Sequence, residues 1–157
     1  MLKWIALVVA ATAGLAIGLG SYTFVAARGS SYLTDDPAAC ANCHVMGDHF
    51  AAWQKSSHRA VAVCNDCHAP HDGFLRKYAV KAENGFVHSI NFTTGRHPDP
   101  LRIREGNRRV TQAACLHCHG DLASTITPGG TTSGHGGARS APLDCIACHA
   151  DVGHWVR

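Results

Sequence analysis

The chain has 157 residues, enough for one or two small domains, and carries 14 Lys and Arg against 11 Asp and Glu, a formal net charge of +3. This balance is only weakly basic, and the one basic cluster, Arg102–Arg109, is short, so no nucleic-acid partner is expected. Eight cysteines and 12 histidines are the unusual part of the composition.

The N-terminus predicts a membrane anchor. An uncharged apolar run extends from Trp4 to Ala27, and about 24 residues at about 1.5 Å each make a helix of about 36 Å, enough to cross a bilayer core of about 30 Å. A cleavable signal peptide has a shorter apolar region, although Val25–Ala27 could serve as a cleavage site. We predict an uncleaved single-pass anchor over residues 1–30. Lys3 precedes it and favours a cytoplasmic N-terminus.

The rest of the chain repeats one motif, Cys-x-x-Cys-His, four times. It begins at Cys40, Cys64, Cys115 and Cys145 and takes up the other cysteines as its second positions, at Cys43, Cys67, Cys118 and Cys148. This is the attachment signature of c-type haem, in which two thiols bond to the porphyrin and the histidine can bind the iron. Zinc sites or disulfides could also use eight cysteines, but neither explains a histidine after every pair. We predict four covalently attached haem c groups.

Four haems in residues 31–157 leave too little apolar sequence for an ordinary core. The predicted fold is mainly α with much irregular structure, a compact multihaem domain whose core is the haems. Helical patterns occur at 50–57, at 74–90 and before Cys115, and no alternating strand pattern is found. Thr125–Arg139 is predicted to be a flexible loop. Because bacteria attach haem c outside the cytoplasm, this domain is expected in the periplasm, anchored to the inner membrane.

Several side chains are candidates for the remaining axial positions of the irons. His58, just before the second motif, and His154, five residues after His149, are well placed to be distal ligands. His117 and His135 are placed less well, the first inside its own motif and the second in the glycine-rich loop. Met46 either binds an iron through its thioether or fills a gap beside the ring.

The anchor, the four motifs, the extension of the first motif to Met46 and the stretch Cys64–His71 together resemble the NapC/NrfH family of membrane-anchored tetrahaem quinol dehydrogenases. Within that family the chain is most similar to the small subunits of cytochrome c nitrite reductase, and the resemblance covers essentially the whole chain. It implies menaquinol as electron source and a periplasmic multihaem nitrite reductase catalytic subunit as acceptor. A homo-oligomer within the complex is an option.

The resemblance also implies a set of iron ligands. Met46 would bind the first iron while the neighbouring His44 would not. The second iron would be bound by His68 and by a lysine of the partner. The third and fourth would each take two histidines, pairing His119 with His154 and His149 with His58.

A quinol site is expected near the first haem, since Cys40 lies about 13 residues after the apolar run. The family has an acidic residue near the open face of this haem, where this chain has His88. On a helix Lys81, Asn84 and His88 share one face. We predict His88 as the proton acceptor and Lys81 as the hydrogen-bond or charge partner of the quinol oxygen. The alternative is that both pair with haem propionates.

The predicted function is therefore that of a quinol dehydrogenase, which donates electrons to a nitrite reductase and performs no nitrite chemistry itself. Two alternatives stay open. The chain could be a NapC-like donor to another periplasmic reductase, or a tetrahaem carrier without a quinol site. A carrier would have only six-coordinate haems and would be insensitive to quinone-analogue inhibitors.

Overall fold

The computed structural model of this chain describes residues 1–126 and 144–154. The chain divides into two compact units, Met1–Thr34 and Asp35–Arg157. The predicted domain boundary after residue 30 stays a prediction. Most of the predicted loop Thr125–Arg139 lies outside the described residues, and its first two residues end a helix.

The first unit contains the predicted apolar helix. Helix α1 spans Leu2–Ala26, 25 residues with a mean hydropathy of 2.0, and none of it is buried within the chain. Its length and composition suffice to cross a membrane. A short 3₁₀ turn, Gly29–Leu33, follows it.

The second unit contains six helices among the described residues, and no strand occurs there, as predicted. They are α2 (Pro37–Cys40), α3 (Gly47–Gln54), α4 (Cys64–His68), α5 (Phe74–Thr93), α6 (Glu105–Ile126) and α7 (Cys145–Cys148). Helix α5 begins where predicted and runs three residues further, whereas α3 begins and ends three residues before the predicted bounds. The fold is therefore mainly α, with short helices joined by irregular segments.

Local signals explain where several helices begin. Asp36 caps α2, since its Oδ1 accepts a hydrogen bond of 2.9 Å from the backbone N–H of Ala38, and Pro37 occupies the first turn. Asp144 caps α7 through a bond of 3.0 Å from the N–H of Ala147. Gly73 precedes α5 with a φ of 144°, a conformation that only glycine adopts without strain.

The second unit has almost no side-chain core. Among the described residues, the buried apolar side chains are Ala69 and Ala114, and no large side chain is fully buried. Both alanines adjoin haem motifs, Ala69 following the second and Ala114 preceding the third, and the helices of these motifs, α4 and α6, pack against each other. The interior is therefore lined by the motifs themselves.

Candidate functional site

The cysteines of three motifs lie on helices. The second, third and fourth Cys-x-x-Cys pairs fall within α4, α6 and α7. Residues three apart on a helix share a face, so each of these pairs presents both thiols in one direction. The first pair differs, because Cys40 ends α2 and Cys43 precedes a 3₁₀ turn, His44–Met46. None of the eight cysteines is paired in a disulfide.

The motif histidines leave the helical path. His119 is the one residue inside α6 with non-helical angles, φ −111° and ψ 17°. His149 follows α7 with φ −118° and ψ 46°. His68 is the last residue of α4 and is followed by extended backbone at Ala69. Each backbone therefore turns at the histidine, directly after the pair of thiols.

Thiols of consecutive motifs lie close to one another. The Cys64 thiol donates a hydrogen bond to Cys40 and, together with the charge of Lys81, lowers the pKa of Cys40 to about 7. Burial and the nearby Cys145 raise the pKa of Cys115 to about 11. Burial and the Asp66 carboxylate raise the pKa of Cys67, with a smaller contribution from Cys118. The motifs therefore adjoin one another in chain order.

Two side chains of α6 hold the fourth motif. Gln112 accepts a hydrogen bond of 3.0 Å from the backbone N–H of Cys145, and its own amide lies 3.1 Å from the sulfur of Cys145. Arg108 donates to both carboxylate oxygens of Asp144, at 2.8 and 2.6 Å. These contacts attach α7 to the helix that carries the third motif.

The histidine rings gather in small groups. His154 stacks on His68 with ring centroids 5.9 Å apart and packs edge-on against His49 at 5.1 Å. The rings of His58 and His119 lie 6.1 Å apart, and His58 Nδ1 is 3.2 Å from the carbonyl oxygen of Val152.

The predicted ligand pairs are not in ring contact with each other in the described part of the chain. Ligands on opposite faces of one iron are separated by that iron, so such contact is not required, and the pairings stay predictions. The carbonyl contact of His58 does bring this ring next to the segment of the fourth motif. Met46 is half-buried in the turn after the first motif.

These residues fit four haem c groups. Burial, with the nearby rings of His154 and His49, lowers the pKa of His68 to about 4, so that this imidazole stays neutral, the form that binds metals. Nδ1 of His49 is buried without a hydrogen-bond partner among the described residues. Thiols paired on one helical face in three of the motifs, the neutral imidazole of His68 and an interior with few buried side chains match the requirements of covalently attached porphyrins.

A cluster of charges lies beside the first motif. Lys81 is 6% exposed, and its Nζ lies 3.2 Å from Oδ1 of Asp35. Lys77 donates to the other oxygen of the same carboxylate at 2.6 Å, and Asn65 donates to Oδ1 at 2.8 Å. The pKa of Asp35 is lowered to about 2 from its ordinary 3.8, mainly by the hydrogen bond from the Lys77 ammonium. The charge of Lys81 also acts on Cys40, so the lysine adjoins the first motif.

His88 lies seven residues after Lys81 on α5, as predicted, and is exposed. Partial desolvation lowers the pKa of His88, and the positive charge of Arg104 lowers it further. Arg104 also donates to Asn84 at 2.7 Å and to Glu83 at 3.0 Å. The helix therefore brings Lys81 and His88 to the same side, and the histidine is neutral at neutral pH.

Asp35 and Gln112 are not among the site residues predicted from the sequence. Asp35 makes its ion pairs with residues 42 and 46 positions away, and Gln112 contacts a residue 33 positions away. The spacing of residues along the sequence does not predict such distant partners. The only sequence signal is position, since Asp35 lies just before the first motif and Gln112 just before the third.

Two known proteins have sequences similar to most of this chain. The chain is 37% identical over 142 residues to the cytochrome c-type protein NrfH of Wolinella succinogenes, covering 89% of this chain and 80% of the relative. It is 31% identical to the cytochrome c nitrite reductase subunit NrfH of Nitratidesulfovibrio vulgaris, covering 77% and 69%.

A solved structure has a similar fold. It is the crystal structure of the cytochrome c nitrite reductase NrfHA complex bound to the HQNO inhibitor. One of its chains matches this chain with a TM-score of 0.58 and 26% identity over 90% of this chain and 88% of that chain. Together with the curated relatives, it confirms the predicted fold class and the resemblance stated from the motifs.

Residues 2–157 match the sequence pattern of a known family, the NapC/NirT cytochrome c family, N-terminal region. This match, with the four motifs, confirms the predicted set of four c-type haems. The chain belongs to the NapC/NirT cytochrome c family.

Proposed function

We propose that this chain oxidises a quinol of the bacterial inner membrane and passes the electrons to a periplasmic cytochrome c nitrite reductase. It is a single-pass membrane protein whose haem domain lies in the periplasm. The likeness to NrfH proteins and to a chain of the NrfHA complex supports this assignment over most of the sequence.

One observation in this chain supports the quinol site in particular. Lys81 is a buried lysine beside the first motif, on the same side of α5 as His88. Burying a lysine is costly, and the Asp35 carboxylate offsets that cost. A cation held in this way is suited to donate a hydrogen bond to a quinol oxygen, and the neutral histidine on the same side of the helix is suited to accept a quinol proton.

The motif cysteines would hold the four haems. The proposed iron ligands are Met46 for the first haem, His68 for the second, His119 with His154 for the third and His149 with His58 for the fourth. When bound, each haem supplies a centre that takes up and gives up one electron at a time. Because the motifs adjoin one another in chain order, they would hold the four haems in the same order.

Residues of this chain would orient the quinol and accept the protons that its oxidation releases. Oxidising a quinol to a quinone releases two electrons and two protons. The ammonium of Lys81 would donate a hydrogen bond to one quinol oxygen and so orient the ring. A ring nitrogen of His88 would accept one hydroxyl proton and, being exposed, would release it to water before it accepts the second. Menaquinol is the quinol we propose.

Low-temperature EPR of the oxidised full chain tests the proposal. We expect a high-spin signal from an accessible first haem that shifts when HQNO is added. The Lys81→Ala variant should keep the signal and lose the shift. Lys77→Ala is the matched control, because it also removes an ion pair to Asp35 and should keep the shift. Four low-spin signals that HQNO does not alter would instead identify an electron carrier without a quinol site.

A further inference from the structure

Helix α5 has two opposite faces. Lys77, Lys81, Asn84 and His88 are spaced at i, i+4, i+7 and i+11 and form the face that carries the proposed quinol contacts. A second set begins two residues earlier with the same spacing and continues to i+15, which places it about 200° around the helix. This second set is Leu75, Ala79, Ala82, Phe86 and Ile90. We call these five residues the apolar stripe.

The apolar stripe faces outward along four turns. Leu75 is 83% exposed and Phe86 is 68% exposed, and the two alanines and Ile90 are also exposed. The stripe contains no charged residue over about 22 Å of helix. An exposed apolar surface of this length normally marks a protein or membrane contact.

The short segment between α1 and Asp35 favours a contact of the apolar stripe with the membrane. Helix α1 ends at Ala26 and Asp35 follows after eight residues, which reach at most about 29 Å when fully extended. The carboxylate of Asp35 is ion-paired to Lys77 and Lys81, two residues of α5. Helix α5 is therefore tethered to the end of the membrane span through a short segment and two ion pairs.

We propose that the apolar stripe lies in the inner membrane on its periplasmic side, at the boundary between the lipid headgroups and the acyl chains. Helices that lie in this interface have one strongly apolar face and a polar opposite face, as α5 has. The inference rests on the proposed function in one respect, since the stripe would hold the opposite face of α5, with Lys81 and His88, about one helix diameter, or about 10 Å, from the lipid-facing side. A quinol would then have to leave the bilayer by about that distance to reach this face.

The full haem-loaded chain, held as a single copy in a lipid nanodisc, provides the test. All eight native cysteines are bonded to haem, so one introduced cysteine is the only free thiol. Leu75→Cys and Phe86→Cys probe the stripe, and the control is Arg109→Cys, at a side chain of α6 that is 77% exposed. Alkylation by a charged, water-soluble maleimide and by an uncharged, lipid-soluble maleimide is followed by mass spectrometry.

We expect the stripe thiols to react several-fold more slowly than the control with the charged reagent, and readily with the lipid-soluble one. Equal rates with the charged reagent would overturn the proposal, as would slow reaction with both reagents, which would mean that protein or a haem covers the stripe. Protection that appears only with two copies per disc would identify a second copy as the occupant. Protection that appears only with the nitrite reductase catalytic subunit would identify that subunit.

Quinol oxidation by the same variants separates this inference from the proposed function. A chain whose stripe is protected by lipid but which oxidises no quinol contradicts the function alone. A chain that oxidises quinol while its stripe reacts with the charged reagent contradicts the membrane contact alone. Two stripe positions are used so that a variant that fails to incorporate haem does not decide the outcome.

Discussion

Asp35 and Lys81 lie 46 positions apart in sequence, and their charged atoms are 3.2 Å apart in the structure. The carboxylate belongs to the segment that enters the haem domain, and the lysine is the most deeply buried charged residue among those described. This pair links the start of the domain to the helix that carries the proposed quinol contacts.

The first prediction concerns stability in acid. The folded-state pKa of Asp35 is about 2, below its ordinary 3.8, chiefly because Lys77 and Lys81 favour its charged form. The stability that Asp35 contributes is therefore present above about pH 4 and is lost as pH falls toward 2. Asp35→Asn should be less stable than the native chain at pH 7 and equal to it near pH 2. Thermal unfolding followed by circular dichroism across this range measures the difference.

Asp36→Asn is the control for this effect. The Asp36 side chain caps α2, and asparagine caps a helix about as well as aspartate. The control should therefore follow the native acid profile. If Asp35→Asn also followed it, the ion pairs with α5 would contribute nothing to the fold.

The second prediction concerns the pH dependence of quinol oxidation. His88 accepts a proton only when neutral, and desolvation and Arg104 hold its pKa below the ordinary 6.5. The native rate should be on a plateau at pH 7 and fall as pH drops below 6.5. His88→Gln should be slow throughout and lack this fall. His88→Asp should recover part of the rate, because a carboxylate also accepts protons. Steady-state oxidation of a menaquinol analogue by the complex, measured across this pH range, gives the rate and the pH profile of the native chain and of each variant.

Ser89→Ala supplies the comparison for His88. Ser89 is the next residue on α5, and its hydroxyl bonds only back to the carbonyl of Gly85 among the contacts described. Its rate profile should match that of the native chain. A native profile for His88→Gln would assign the proton to another group.

The third prediction concerns the first haem. Met46→Ala should change the absorption and EPR signals of one haem and leave the other three as they are, because only one iron would lose its thioether. His44→Ala should leave the axial ligation of that haem unchanged, although His44 belongs to the attachment motif. Altered signals from all four haems in Met46→Ala would contradict the assignment of Met46.

The fourth prediction concerns the attachment of the fourth motif to α6. Arg108→Ala removes both hydrogen bonds to Asp144 and should lower the thermal unfolding midpoint of the haem-loaded chain. Arg109→Ala is the matched control, since Arg109 is exposed and its contact with Glu105 is a long 4.0 Å. Exposed pairs of this kind contribute little, so the control should unfold as the native chain does. Equal midpoints for the two variants would mean that Gln112 alone holds the motif.

Much of this molecule could be predicted from short-range pattern. Helix α1 follows from an uncharged apolar run, the haem motifs from fixed spacing, and α5 from residues that recur with the period of a helix. The resemblance to a family also supplied Met46, whose role the spacing left open. These features depend on residues close together in sequence, which is why one sequence sufficed.

Other features depend on contacts that sequence spacing does not encode. The partners of Asp35 and Gln112 lie 30 to 46 positions away, and charge alone does not say which lysine an aspartate will meet. Helix α3 begins three residues before its predicted start, because the 3₁₀ turn at His44–Met46 leads directly into it at Gly47. The proximity of the rings of His154 and His68 likewise follows only from the folded chain.

The scarcity of buried side chains in the second unit has a consequence for how such chains diverge. In an ordinary domain, close packing constrains each interior position, so neighbouring residues must change together. Here rigid prosthetic groups of constant shape would take that role, so that interior side chains would have to fit the haems more than they have to fit one another. A family built in this way can keep its architecture while most positions change, as in the solved neighbour, where 26% identity accompanies a shared fold.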